Sequence, residues 1–191
     1  MPPSQPNHDA LQQVHEFNLL FLTHLQTRVR DDLDSCGLPD TVRLQLRRAS
    51  PESIAAIAEF PRALFDLKLD ERTPSAVLDP LRSPSEGAYH ALGLTILLCA
   101  RTLSRQSVYQ ARLLLGLEAR AIQRLRGMQL SEVQPLAYSR RILLCAFAGR
   151  DWIWSELMSE TRPEVRQHLA LIALQPGLRR EWPARRVRLS P

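Results

Sequence analysis

The chain has 191 residues, of which 45% are hydrophobic, so it can bury a core as one domain or as two small domains of roughly 80 residues each. Its net charge of +5 is uneven, because residues 1–87 carry 13 acidic and 9 basic side chains whereas residues 88–191 carry 7 and 16. The N-terminus lacks a signal-peptide pattern and no apolar run reaches the roughly 18 residues of a membrane span, so we expect a cytoplasmic protein without membrane contact. Its 3 widely separated cysteines argue against a disulfide framework and a zinc site.

The first predicted element is a long amphipathic helix in the segment ALQQVHEFNLLFLTHLQTRVRDDL, residues 10–33. Its apolar residues recur at three- and four-residue intervals, as on one face of a helix. They are Leu11, Val14, Leu22, Leu25, Val29 and Leu33, with Phe17 and Phe21 on the same side. Gly37 is predicted to end this helix, because glycine adopts the left-handed conformation of a helix C-cap.

Two short helices are predicted next. The segment PDTVRLQLRR, residues 39–48, opens a helix with proline. Ser50, Pro51 and Glu52 combine a side-chain cap, a proline at the first helical position and an acid in the first turn. The helix that they begin should bury Ile54, Ile57 and Ala58.

A change of period marks the end of this first unit. Phe65, Leu67 and Leu69 alternate with charged residues, which is the two-residue repeat of a half-buried strand. A Pro- and Ser-rich segment follows and is predicted to be a linker, residues 73–87. The first helical unit therefore spans residues 1–72.

The same order of elements recurs in residues 88–149. A second long helix, YHALGLTILLCARTLSRQSVYQARLLL, is predicted to end at Gly116. A short basic helix, LEARAIQRLR, follows it, and a further helix is predicted to begin at Ser131. The segment SRRILLCAFAG then stands where the first unit has its strand, and its pattern fits either strand or helix.

Superposing Gly37 on Gly116 aligns Leu46 with Leu125 and Ala58 with Ala137. We therefore predict a mainly α chain of two tandem helical units with at most one or two short strands. Residues 150–177 are predicted to form two further helices, the second capped by Thr161, and residues 178–191 a basic tail.

The segment NLLFLTHLQTRVRDDLDSCGLPDTVRLQLRRASPESIAAIAEFPRALFDLKLDE resembles the flagellar transcriptional regulator FlhD family. The likeness lies in a long helix with an N-L pair, a turn before Gly, a helix entered through Pro, and an LAE-like segment leading to a strand that ends in acids. The segment ARTLSRQSVYQARLLLGLEARAIQRLRGMQLSEVQPLA is similar to the same region. Members of that family are usually single units that dimerise, so this chain resembles two such units fused.

The resemblance implies an all-helical subunit that regulates transcription with an FlhC-like partner, which holds the zinc and makes much of the DNA contact. It implies operons of flagella or of mobile elements and secretion systems, and it leaves homo-oligomers open. It assigns no cofactor to this chain.

Nucleic-acid contact is predicted at two groups of arginines. The denser group surrounds Trp182 in the tail and consists of Arg179, Arg180, Arg185, Arg186 and Arg188. Their guanidinium groups either neutralise DNA phosphates or belong to a solvated tail. The second group, on the short basic helix, is Arg120, Arg124 and Arg126. A helix-turn-helix fits this region loosely, because the segment LSEVQPLA is short, apolar and contains Pro135.

Protein contact is predicted at aromatic side chains. Trp152 and Trp154 cannot share one helix face at a spacing of two, so we expect one in the core and one exposed as a partner contact. Phe17 and Phe21 complete the predicted partner interface. The five scattered histidines and the absence of a glycine-rich phosphate loop or a Gly-x-Ser-x-Gly motif predict a protein that is not an enzyme. The alternative function is a structural or adaptor protein of a secretion or conjugation system without DNA contact.

Overall fold

Eight helices and two short strands make up the part of the chain that the computed structural model describes. That part comprises residues 8–31, 33, 36–69, 84–138, 142–147, 150–159 and, towards the C-terminus, 165, 168, 169, 171 and 172. The elements are α1 His8–Arg30, α2 Asp40–Arg48, α3 Pro51–Ala58, β1 Phe65–Leu67, α4 Pro84–Gln106, α5 Val108–Leu115, α6 Ala119–Gly127, α7 Leu130–Ala137, β2 Leu143–Cys145 and α8 Asp151–Ser159. The prediction of a mainly α chain with at most two short strands is confirmed.

The first helix is amphipathic as predicted but shorter. Helix α1 buries the predicted apolar face, including Val14, Leu22 and Leu25. It ends at Arg30, whereas Leu33 is 39% exposed. Gly37 adopts the expected left-handed backbone, with φ of 81°, but it lies in the loop beyond the helix and does not cap it. The acidic residues that follow Arg30 in the sequence explain the early end, because the negative C-terminus of a helix disfavours carboxylates.

The two short helices of the first half form close to where they were expected: α2 begins at Asp40, one residue after Pro39, and α3 begins at Pro51. Ser50 accepts a hydrogen bond from the backbone N–H of Ser53 at 3.2 Å, with Pro51 at the first helical position. Helix α3 buries Ile54, Ile57 and Ala58, as predicted. Local capping chemistry therefore fixes the start of α3.

The prediction of a single second long helix is wrong, because the structure divides this segment into α4 and α5. Ser107 separates them with an extended backbone, φ −151° and ψ 107°, and its side chain accepts a hydrogen bond from Gln110 N–H at 3.2 Å. The chain can thus turn while the first free N–H groups of α5 are capped. Gly116 ends α5 in the left-handed conformation, with φ of 66°, as predicted.

Lengths and spacings repeat between the two halves. Helix α2 begins at Asp40 and α6 at Ala119, each with 9 residues, and their first residues are 79 positions apart. Helices α3 and α7 each have 8 residues and begin at Pro51 and Leu130, again 79 apart. Helix α7 starts one residue before the predicted Ser131, and the carboxylate of Glu132 accepts a hydrogen bond from Gln129 N–H at 2.6 Å.

The two strands join the halves in an antiparallel ribbon. Phe65 lies opposite Cys145, Asp66 opposite Leu144, and Leu67 opposite Leu143. The segment that fitted strand or helix is therefore a strand, and its partner is the strand of the first half. Leu69, expected as a continuation of the first strand, lies beyond its end at Leu67.

Helices α1 and α4 lie at the centre of the packing. Helix α1 contacts α2, α3, α4 and α5, and α4 contacts α5, α6 and α7. Helix α8 packs against α2 and α3 of the first half. One connected apolar core results, which runs through both halves.

One buried polar side chain ties α1 to the loop between α3 and β1. Asn18 is 0% exposed, and its Oδ1 accepts a hydrogen bond from Leu64 N–H at 2.8 Å. Its Nδ2 donates to the carbonyl oxygens of Ala58, Phe60 and Arg62 at 3.2, 3.1 and 3.0 Å. The loop that leads into the ribbon is thus held by one amide.

The structure describes only part of the predicted linker and of the predicted C-terminal segments. Residues 84–87, expected at the end of the linker, belong to α4. The first predicted C-terminal helix is α8, whereas Thr161, the expected cap of the second, lies outside the described residues, as does the whole tail 178–191. Within the described ranges, no helix combines the length and hydrophobicity needed to cross a bilayer.

Candidate nucleic-acid and partner interface

The predicted basic helix is α6, and its arginines do not form one patch. Arg120 and Arg126 are exposed, whereas Arg124 is half-buried and donates to the backbone oxygen of Leu69 at 3.1 Å. Arg120 and Arg124 lie one helical turn apart and both border a cavity beside β1. Arg126 lies at the other end of the helix, outside the lining of that cavity.

Two further arginines, which the sequence did not single out, hold the end of α6. Arg105 donates through Nε and a terminal nitrogen to the backbone oxygen of Arg126, at 3.1 and 2.9 Å. Arg101 Nε donates to the backbone oxygen of Met128 at 2.9 Å. Cationic groups at a helix C-terminus satisfy free carbonyls and oppose the helix dipole. The four-residue spacing of Arg101 and Arg105, which places them on one face of the predicted long helix, was the available sequence signal.

The first half uses a neutral side chain in the corresponding place. Gln26 Nε2 donates to the backbone oxygens of Leu46 and Ala49, both at 2.9 Å. Ala49 and Met128 each follow a 9-residue helix. The turn after α6 thus receives hydrogen bonds from guanidinium groups, whereas the turn after α2 receives them from an amide.

The helix after α6 is bound into the core. Helix α7 buries Val133, Leu136 and Ala137 and contains Pro135. It packs against α4. A recognition helix must present side chains to a DNA groove, so this packing disfavours the helix-turn-helix interpretation.

The aromatic residues divide as the tryptophan spacing predicted, but two phenylalanines do not reach the surface. Trp154 is 1% exposed, and its indole N–H donates to the backbone oxygen of Ala146 at 2.8 Å, whereas Trp152 is 38% exposed. Phe21 is 0% and Phe17 9% exposed. The prediction of Phe17, Phe21 and Trp154 as partner contacts is therefore corrected, because the chain's own core covers them. Trp152 is the tryptophan left accessible among the predicted contacts.

His24 on α1 contacts an aromatic side chain and, among the described residues, is not part of a metal-binding group. His24 lies beside Tyr89, with ring centroids 5.4 Å apart. The hydroxyl of Tyr89 accepts from Leu143 N–H at 2.9 Å and donates to Leu143 O at 3.0 Å. Across the part of the chain that the structure describes, no three His, Cys, Asp or Glu side chains are grouped so as to bind a metal ion.

Stability should fall on acidification through His24. Burial, helped by the nearby charge of Arg28, lowers the pKa of His24 to about 4 from its ordinary 6.5. The unfolded chain takes up a proton near pH 6.5 and the folded chain only near pH 4, so stability is full above pH 6.5 and is lost between these values. We expect a loss of about 1–2 kcal/mol, allowing for the partial solvent exposure of the ring. Urea unfolding of the wild type and of His24→Gln across this range measures it, and an equally steep pH dependence in the variant would contradict the assignment.

The arrangement of helices and strands defines the structural class of the protein. This is a mainly α protein in which matching sets of short helices are joined by a two-stranded ribbon. Residues 85–177, from the start of α4 to beyond α8, match the family model of the flagellar transcriptional activator (FlhD). This segment, 93 of the 191 residues, is therefore similar to the FlhD family, which is described as a flagellar transcriptional activator. No curated protein and no solved structure matches the chain.

Proposed function

We propose that the chain is a transcriptional co-regulator of the FlhD type, working in the cytoplasm with an FlhC-like DNA-binding subunit at promoters of flagellar, mobile-element or secretion operons. The observation that carries this proposal is the FlhD family match over residues 85–177. The matched segment contains α4–α8, the more basic part of the described structure. A basic subunit is suited to an assembly on DNA.

We infer further that residues 1–72 form a second FlhD-like unit and that the two units make an intramolecular pseudo-dimer. The repeated 79-residue spacing of the short helices supports this. The ribbon supports it too, because Asp66 and Leu144, a central pair of the ribbon, are 78 residues apart and so occupy nearly equivalent positions. Each unit would thus contribute one strand to a shared, locally twofold ribbon.

The DNA contact in this proposal comes from exposed arginines of the second half and from the tail. Arg120 and Arg126 are exposed on α6, and Arg179, Arg180, Arg185, Arg186 and Arg188 follow in the tail sequence. Arg124 is a weaker candidate, since its guanidinium group already donates to Leu69 O. Phosphate contacts of this type carry no sequence preference.

Deletion of residues 178–191 should weaken DNA binding equally on different sequences. Each phosphate contact contributes about 0.9 to the slope of log K against log salt, so loss of the five tail arginines should reduce the slope by up to about 4.5. Fluorescence anisotropy with two unrelated duplexes over a range of salt concentrations measures this. An unchanged slope would remove the tail from the proposal.

The partner contact is proposed at Trp152. An exposed tryptophan is a frequent anchor in protein interfaces, and Trp152 stands on α8, within the segment matched to the family. The same observation favours the alternative function, an adaptor of a secretion or conjugation system without DNA contact. The two functions differ in the salt-dependent DNA binding described above, which an adaptor would lack.

A further inference from the structure

A cavity of about 540 Å³ lies between the ribbon, the start of α6 and the residue before α8. Its volume falls within the range of small-molecule sites, about 300–1,000 Å³. The residues that line it come from both halves of the chain: Arg62, Asp66, Leu67, Leu69, Gly116, Leu117, Glu118, Arg120, Ala121, Arg124 and Arg150.

The charges around the cavity are unbalanced. Four arginines line it against two carboxylates, so its walls carry a formal charge of +2. Guanidinium groups bind carboxylates and phosphates through paired, parallel hydrogen bonds. The apolar wall, formed by Leu67, Leu69 and Leu117, gives the same cavity a surface for a hydrocarbon or ring portion.

Several of these groups are held in place. Arg62 and Arg150 both lie near the ring of Phe147, with guanidinium carbons 5.0 and 5.5 Å from its centroid. Phe147 is buried and adopts a left-handed backbone with φ of 65°. A non-glycine residue in that region is strained, and such strain concentrates at binding sites. Arg124 is fixed by its hydrogen bond to Leu69 O.

The part of the cavity around Arg62 and Asp66 is poorly solvated. Burial raises the pKa of Asp66, against the opposing effect of Arg62 and Arg150 and with a further contribution from Glu118. Burial likewise lowers the pKa of Arg62. Charge interactions are stronger in such surroundings than in water, so an anion that enters gains more than it would on an open surface.

We propose that this cavity binds a small organic molecule that carries an oxyanion group, a phosphate ester or a carboxylate, beside an apolar portion. The oxyanion lies against Arg120 and Arg150, and the apolar portion lies against the leucine wall. The site is concave and lies at the seam of the two halves. It shares Arg120 and Arg124 with the arginines proposed to contact DNA, whereas Arg62 and Arg150 belong to the cavity alone. Binding would stabilise the contact between the halves.

The test uses the full chain and three probes of similar size at constant ionic strength: phenyl phosphate, phenylacetate and neutral benzyl alcohol. Isothermal titration should show saturable binding, one site per chain, for at least one of the two anions and none for the alcohol. The tighter of the two anions identifies the oxyanion. Binding by neither anion would overturn the proposal.

Substitutions of the lining arginines test whether the anionic probe binds in this cavity. Arg120→Gln and Arg150→Gln should each weaken binding of the anionic probe at least tenfold. Arg126→Gln is the matched control, since it removes the same charge from an exposed position at the other end of α6, outside the cavity. Circular dichroism confirms that each variant is folded. Unchanged binding in both cavity variants, or equal weakening in the control, would overturn the assignment.

Discussion

Replacing Asn18 by leucine should remove a large part of the protein's stability, about 3–5 kcal/mol. The two side chains are similar in size, but leucine leaves the N–H of Leu64 and the carbonyls of Ala58, Phe60 and Arg62 without their partner. Each unsatisfied buried backbone group costs about 1–3 kcal/mol, and a domain's whole stability is only about 5–15 kcal/mol. Chemical denaturation followed by circular dichroism measures the loss.

Two further variants separate hydrogen bonding from packing. Gln26→Leu removes two backbone contacts of a half-buried amide on the same helix, so its cost should be smaller, about 1–2 kcal/mol. Asn18→Asp keeps the acceptor for Leu64 but loses the donors at neutral pH. Its deficit should shrink as the pH is lowered, because the protonated carboxyl group regains one donor. A loss below 1 kcal/mol in Asn18→Leu would show that the loop is held by other means.

Gly116→Ala should have the second-largest effect, about 2–3 kcal/mol. Part of the cost is the left-handed backbone, φ 66°, which costs a residue with a Cβ about 1–2 kcal/mol. The rest is steric, because the added methyl group would meet the guanidinium group of Arg62, whose Cζ lies 2.7 Å from the methyl position. Arg62 would have to leave its place over Phe147.

Gly37 supplies the matched control. Its φ of 81° is similarly left-handed, but nothing lies within 4 Å of an added methyl group. Gly37→Ala should therefore cost only the backbone contribution, about 1–2 kcal/mol. A double-mutant cycle with Arg62→Ala should remove the difference between the two glycines. Equal costs in the wild-type background would mean that Arg62 moves aside freely.

The elements that could be predicted are those with local determinants. Ser50 and Pro51 cap and open α3, and the spacing of Trp152 and Trp154 forces them to opposite sides of α8. Periodicity also found the buried face of α1. Each of these features is decided within about four residues of sequence, so reading the sequence locally is sufficient.

Periodicity was misleading where a local signal interrupts it. Apolar residues continue across Ser107 with helical spacing, so one helix was predicted where the structure has two. The decisive feature was the capping ability of Ser107, a serine that the pattern treated as an ordinary polar position. Phe17 and Phe21 show a second limit, because a periodic apolar face does not tell whether the same chain or a partner covers it.

The contacts that build the cavity were beyond sequence reasoning. Arg62, Arg120 and Arg150 come from separate segments of the chain and line one cavity only because the ribbon and the start of α6 bring those segments together. Asn18 likewise reaches backbone atoms 40–46 residues away. The sequence around a single asparagine on a helix does not indicate that its side chain makes such long-range hydrogen bonds.

The most direct test of the proposed function is DNA binding by the chain together with an FlhC-like subunit. On duplexes from a promoter that the partner recognises, the mixture should bind at least tenfold more tightly than the partner alone, with a steeper salt dependence. Trp152→Ala should abolish this gain while leaving the fold intact, and Tyr109→Ala, an exposed aromatic on α5, should not. Identical affinity and salt slope with and without the chain would contradict its role as a transcriptional co-regulator.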